Sequence, residues 1–332
     1  MAELVFGEHR AALREPGLRL GLGQALGTCG EIVQGEVESG GDFLVTLPIP
    51  IASYAFVVLE PARTRIRPAP AQKTKAADAV RRTLDYLGVH DLGGEVRVAS
   101  RLPEGKGMAS SSADIVAAIR ATSNALQRDV PGEVISEIAA RIEPTDAVMY
   151  APLVVAFDHR RGRLLECFGY MPPASIVVID LGGDLDTIEF NKLPKNYSAQ
   201  ERSLLREAYS LVREGIRAAD LAMVGRAGMM SASVNQRLLY KQGLEELIRV
   251  SLRLGAEGLV VAHSGSVAGV LFKPGHSGAE ALPSALACVG LAPESTFVTS
   301  SIPGAGASPS RSRGRRSLAR LAARPPVPSP EA

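Results

Sequence analysis

The 332-residue chain lacks most of the features that assign a protein at first sight. Its three cysteines, Cys29, Cys167 and Cys288, are far apart and odd in number. That argues against a disulfide framework and a zinc cluster, and fits a reducing compartment. Neither sign of charge is in excess: 37 Lys+Arg against 35 Asp+Glu leave a net charge of +2. No overall field therefore draws the chain to nucleic acid or to an anionic membrane. No apolar run reaches the roughly 20 residues that a membrane span needs. The start, Met1-Ala2-Glu3-Leu4-Val5, has no basic n-region and no long apolar h-region. Internal repeats, a Gly-x-x-x-x-Gly-Lys-[Ser/Thr] loop and a Gly-x-Ser-x-Gly elbow are also missing. These absences make a soluble cytoplasmic protein the expectation, with no nucleic-acid or membrane partner and an open oligomeric state.

What is present reads as α+β. The length suffices for a large core in a two-lobed unit. Residues 1–20 are charged and irregular, an N-terminal arm. From Leu26 to about Glu60 the pattern is β, with strands over 31–37, 43–48 and 52–59 and a turn at Gly40-Gly41-Asp42. Lys75–Leu87 reads as a helix ended by Gly88. Gly94–Arg101 alternates as a strand, helices follow from Ile115 to Leu126 and from Val134 to Ile142, and an apolar strand lies close to Pro144. A second half, placed at 166–302 against 21–165 for the first, carries the strand Ser175–Asp180. Helices are expected over 199–219, 220–234 and 240–254, then strands over 258–262 and 268–272. From Pro303 the chain turns rich in Pro, Ser, Gly and Arg. That composition buries too little to offset its ordering entropy, so 303–332 is expected to be a disordered basic tail; a short basic amphipathic helix around Leu318 and Leu321 is the alternative.

The stretch richest in chemistry is Pro103-Glu104-Gly105-Lys106-Gly107-Met108-Ala109-Ser110-Ser111-Ser112-Ala113-Asp114. Its glycines permit positive φ and close approach of backbone to ligand. The helix behind it offers free N–H groups and a positive dipole end to an anion. The serines add donors that suit a metal ion beside phosphates. A plain N-cap is the ordinary alternative. By contrast, Gly21-Leu22-Gly23-Gln24-Ala25-Leu26-Gly27 has the wrong spacing for a dinucleotide fingerprint and reads as a loop.

Three further clusters accompany that loop: Gly27-Thr28-Cys29-Gly30-Glu31-Ile32-Val33-Gln34-Gly35, Ile142-Glu143-Pro144-Thr145-Asp146, and Ala262-His263-Ser264-Gly265-Ser266. In this order the four resemble the GHMP kinase superfamily, whose middle motif is Pro-x-Gly-x-Gly-[Leu/Met]-x-Ser-Ser-[Ala/Ser]. The first, third and fourth clusters resemble, more particularly, the L-threonine kinases of cobalamin biosynthesis. The resemblance spans roughly residues 22–302.

It implies a fold with an N-terminal lobe like ribosomal protein S5 domain 2 and a ferredoxin-like C-terminal lobe. ATP, Mg²⁺ and a small hydroxy-amino acid such as L-threonine would meet between them. Pro103, Gly105, Lys106, Gly107, Met108, Ala109, Ser110, Ser111 and Ser112 would then wrap the triphosphate, with Lys106 adding charge at the phosphates. Ser111 aligns with the family serine that touches Mg²⁺, and Glu143 or Glu137 would supply a metal carboxylate. Asp146 sits where the family carries a catalytic base. Glu31 and Gln34 would face the amino acid, and His263, Ser264 and Gly265 would close over it. Each has an ordinary alternative: a turn aspartate, solvent-facing strand residues, a packed histidine. Homoserine or another small alcohol as acceptor, and a regulator that binds nucleotide without turnover, are the competing functions.

Overall fold

Two long antiparallel strands, β1 (Arg19–Glu36) and β2 (Asp42–Glu60), form the spine of the molecule. The computed structural model describes residues 17–36, 41–61, 63–182, 195–302 and 304. Most of the N-terminal arm, nearly all of the tail and Gly40 of the Gly40–Asp42 turn lie outside them. Arg19 and Leu20, expected in the arm, already belong to β1. Among the described residues there are eight further strands: β3 (Ile66–Ala69), β4 (Gly93–Ser100), β5 (Leu153–Asp158), β6 (Arg163–Tyr170), β7 (Ser175–Asp180), β8 (Gly258–Val261), β9 (Val267–Phe272) and β10 (Ser295–Ser300). The helices are α1 (Thr74–Tyr86), α2 (Ser110–Leu126), α3 (Gly132–Ala140), α4 (Ala199–Ala218), α5 (Leu221–Leu238), α6 (Leu244–Arg253) and α7 (Gly278–Cys288). None of the described helices is long and apolar enough to cross a membrane.

All ten strands join in one sheet of order β10-β7-β9-β8-β1-β2-β4-β3, with β5 and β6 branching from β2. Register shifts between Leu26 and Val33 bend β1. Within the bend, Glu31 pairs with Val261 of β8, which links the two halves of the chain. Gly30, at φ +63°, permits this approach, because a Cβ there would lie 2.6 Å from the Ala262 nitrogen.

The expected loop at Gly21–Gly27 is instead the start of β1. Gly21, Gly23 and Ala25 alternate inward while Leu22 and Gln24 face out. A Cβ on Gly21 or Gly23 would sit 2.0 Å from the Ala121 or Ala117 carbonyl of α2. The inward face is made of the smallest residues, so hydropathy gave no strand signal although the period of two is present.

Helix α2 lies against β1 and β2, with Ala117, Ala121 and Ala125 over Gly21 and Gly23 and with Ile115 and Ile119 fully buried on it. Burying each such isoleucine stabilises by about 1.5–3 kcal/mol. A second apolar cluster joins Leu247 of α6, Leu259, Phe272 and Leu282. The helix expected from Tyr240 begins only at Leu244, because Gly243 stands at φ +79°. Sequence patterning did not show α7, which carries Pro283 inside it, nor the partly exposed strands β6 and β10.

Candidate active site

The glycine loop forms as its sequence suggests. Gly105 and Gly107 stand at φ +72° and +83°, and Ala109 follows at +57°. Met108 is the loop's anchor: its side chain is buried, and its carbonyl accepts the Thr28 N–H at 3.2 Å. The first helical bond of α2 runs from Ala113 N–H to the Ala109 carbonyl, and no side chain caps the helix. The N–H groups of Ser110, Ser111 and Ser112 therefore have no helical acceptor. Around Gly105 the space is open, with nothing within 4 Å of a Cβ position. The Ser111 hydroxyl is without a partner among the described residues, while Pro103 and Glu104 lie exposed at the loop's start. This donor set fits a polyphosphate anion.

Asp114, buried on α2, accepts from the Ser53 hydroxyl and from Lys73 Nζ at 2.6 Å; Lys73 also holds Glu104 at 2.5 Å. The base of the loop is thus tied to the sheet and to the segment before α1.

Lys106 is turned away from the role of a free phosphate cation. Its ammonium lies 2.7 Å from Glu294 and 2.9 Å from Asp180. These carboxylates hold its pKa above the ordinary lysine value. Its carbonyl accepts the Val267 N–H at 3.2 Å. Beside it, the turn His263-Ser264-Gly265-Ser266 meets the loop backbone to backbone. A Cβ on Gly265 would be 2.4 Å from the Gly107 nitrogen, and one on Gly107 would be 2.2 Å from Ala262 Cβ. Residues some 160 positions apart therefore form one double turn, and the Gly265 position tolerates no side chain.

Glu31 and His263 come together although the chain separates them by 232 residues. Glu31 Oε2 accepts the His263 backbone N–H at 2.7 Å and lies 3.3 Å from Nδ1. Burial alone would raise the Glu31 carboxyl; the hydrogen bonds from His263 outweigh it and hold the group below its ordinary value. Burial pushes the His263 imidazole down, so it stays neutral. Nδ1 faces two acceptors, Glu31 and the Val261 carbonyl at 3.2 Å, and so carries the proton. Nε2 then accepts from the Ser231 hydroxyl at 2.9 Å, and Ser231 Oγ accepts the Gln34 N–H at 3.2 Å. His263 is thus a packed, hydrogen-bonded residue behind the site; Ser264, beside it, is only partly buried. Glu31 Oε1 and the Gln34 side chain have no partner among the described residues.

Asp146 meets Ser112 of α2 twice: its N–H donates to the hydroxyl at 3.0 Å, and its carboxylate accepts from it at 3.2 Å. Burial, then the nearby charge of Glu31, pushes its pKa up to about 7. That value suits a group that takes up a proton at neutral pH. Glu143 is engaged by Lys75 of α1 in an ion pair. Glu137 lies exposed on α3. Among the described residues no group of three or more His, Cys, Asp or Glu forms a metal cage.

Cys29 is buried against Gly269, and burial pushes its thiol up to about 12, which makes it unreactive. Two cations escaped the sequence reading. Lys241 is buried, and burial pushes it down to about 8. Lys195, partly buried and within electrostatic reach of Glu31, is likewise pushed down. Neither belongs to a motif; only packing reveals a lysine withdrawn from water.

Comparison with known proteins accords with this geometry. Residues 73–151, which include the loop, match the model of the GHMP kinases N terminal domain. The chain is 30% identical to an L-threonine kinase of Salmonella typhimurium over 256 residues, 77% of this chain and 84% of that protein. It is 27% identical to an L-threonine kinase of Citrobacter freundii, over 76% and 86% of the two chains. Among solved structures, a homoserine kinase from Cytophaga hutchinsonii superposes with a TM-score of 0.63 at 17% identity, covering 85% of this chain and 94% of that one. A mevalonate kinase of L. major in complex with R-mevalonate does so with a TM-score of 0.62 at 18% identity, covering 87% and 97%.

Proposed function

We propose that this chain, which belongs to the GHMP kinases and is an ATP-dependent kinase, phosphorylates the side-chain hydroxyl of L-threonine to give O-phospho-L-threonine. The observation that carries the acceptor is the likeness to L-threonine kinases over most of both chains. The charge of the site supports it. Glu31 is a buried, ionised carboxylate with one oxygen unpartnered among the described residues, which suits an α-ammonium group. A neutral or anionic acceptor would leave that oxygen without a cationic partner in hydrogen-bond contact.

The loop residues act mainly by positioning, as phosphoryl transfer requires. Backbone N–H groups of Gly105 to Ser112 hold the phosphates. Bound ATP supplies the phosphoryl group, and Mg²⁺ offsets its charge. Ser111 is the free hydroxyl for that ion, and Glu143, whose Oε2 is paired with Lys75, has its other oxygen to offer. Asp146 accepts the proton of the threonine hydroxyl. An α-ammonium beside Glu31 offsets the negative charge that raises Asp146, so the acceptor itself favours the basic form of Asp146. The product would serve the aminopropanol linker of cobalamin, as the resemblance implies.

The test is ADP release from ATP and Mg²⁺ with threonine, serine, homoserine and simple alcohols. Threonine-dependent release is expected. Turnover of another alcohol without threonine would refute the acceptor. ATP binding without transfer to any alcohol would favour the regulator.

A further inference from the structure

We propose that Lys241 is a positioning residue for the nucleotide, whose buried ammonium fixes the Gly265 turn against the phosphate-binding loop. The proposal rests on the kinase reading of that loop. Lys241 lies in the short turn between α5 and α6 and is 6% exposed. Its Nζ donates to the Gly265 carbonyl at 2.7 Å. Its own main chain is bolted to one amide: its N–H donates to Gln236 Oε1 at 2.7 Å, and its carbonyl accepts from Gln236 Nε2 at 3.1 Å. Gly265 in turn abuts the Gly107 nitrogen and the Lys106 carbonyl carbon. Lys106 is itself joined to the far end of the turn through Val267. An unbroken line of contacts therefore runs from α5 through Lys241 and Gly265 to the loop that would hold the phosphates. A backbone cradle is effective only if its N–H groups are held in place beforehand.

The charge on Lys241 has a second consequence. Apolar packing does not call for a buried ammonium, which is costly unless its charge is used. The titratable groups that face it are Glu31 of β1, which favours the charged form, and the neutral His263 of the β8–β9 turn. Lys106, held up by Glu294 and Asp180, stays charged throughout the range concerned. Burial sets Lys241 at about 8. Phosphates arriving at Gly107 bring negative charge toward it and draw a proton onto it.

The experiment is calorimetric titration of the full chain with MgATP, without acceptor, from about pH 7 to about pH 9 in buffers of different ionisation heat. Wild-type protein is expected to take up part of a proton near pH 8 and to bind more weakly as pH rises. Lys241→Met is expected to lose that uptake and to bind about tenfold or more weakly, the effect of removing a charged hydrogen bond. Wild-type affinity, or unchanged proton uptake, in Lys241→Met overturns the proposal and leaves the kinase reading standing. A wild-type protein that binds no ATP overturns both. Should Lys241→Met fail to fold, the wild-type profile decides, and affinity constant across that range overturns the proposal.

Discussion

The ionisation of Asp146 makes the base assignment measurable. Burial and the charge of Glu31 place its pKa at about 7. With one ionisation, about one-tenth of the carboxyl is basic at pH 6 and about nine-tenths at pH 8. If Asp146 is the base, kcat/KM for threonine, which reports the free enzyme, should therefore rise about tenfold between these pH values. Asp146→Asn should lower kcat by about 10²-fold or more. Glu31→Gln removes a charge that raises Asp146 in the free enzyme, so the acidic limb of kcat/KM should move to lower pH, whatever its absolute size.

Stability moves the other way. The folded value of Asp146 exceeds its ordinary 3.8, so the fold favours the protonated acid. That contribution is fully present below the ordinary value and is lost as pH rises through about 7. Asp146→Asn carries no such loss and should melt no lower than wild type at about pH 8. Stopped-assay kcat/KM profiles and melting curves on both variants give the answer. A flat wild-type profile from pH 6 to 8, or Asp146→Asn turnover within a few-fold of normal, would refute the assignment.

Three other outcomes follow from single contacts. Ser111→Ala should reduce kcat about 10²-fold, as lost charge stabilisation does; unchanged turnover would remove Ser111 from the site. Gly265→Ala forces a Cβ to within 2.4 Å of the Gly107 backbone. It should weaken MgATP binding at least about tenfold, because the cradle must shift, and normal affinity in equilibrium titration would argue against the double turn. Gly21→Ala would put a Cβ 2.0 Å from the Ala121 carbonyl. It should cost about 1–3 kcal/mol in denaturant unfolding, with kcat preserved in the folded fraction; a variant as stable as wild type would contradict the close packing of β1 on α2.

The glycine loop was legible in the sequence because it is local. Positive φ at Gly105 and Gly107, the helix that starts at Ser110 and its uncapped N–H groups depend on neighbours within a few positions. The strands and helices with ordinary amphipathic periods were legible for the same reason. Gly21–Gly27 was not, since its strand character resides in a face of glycine and alanine that only the passing of α2 explains. No pattern in the chain announces that Glu31 receives His263, that Lys106 is claimed by Asp180 and Glu294, that Lys75 takes Glu143, or that Lys241 is withdrawn from water. Backbone conformation is set by adjacent residues. Burial and charge pairing are set by residues that the chain separates and the sheet brings together, and these alone decide which ionisable group is acid, base or anchor.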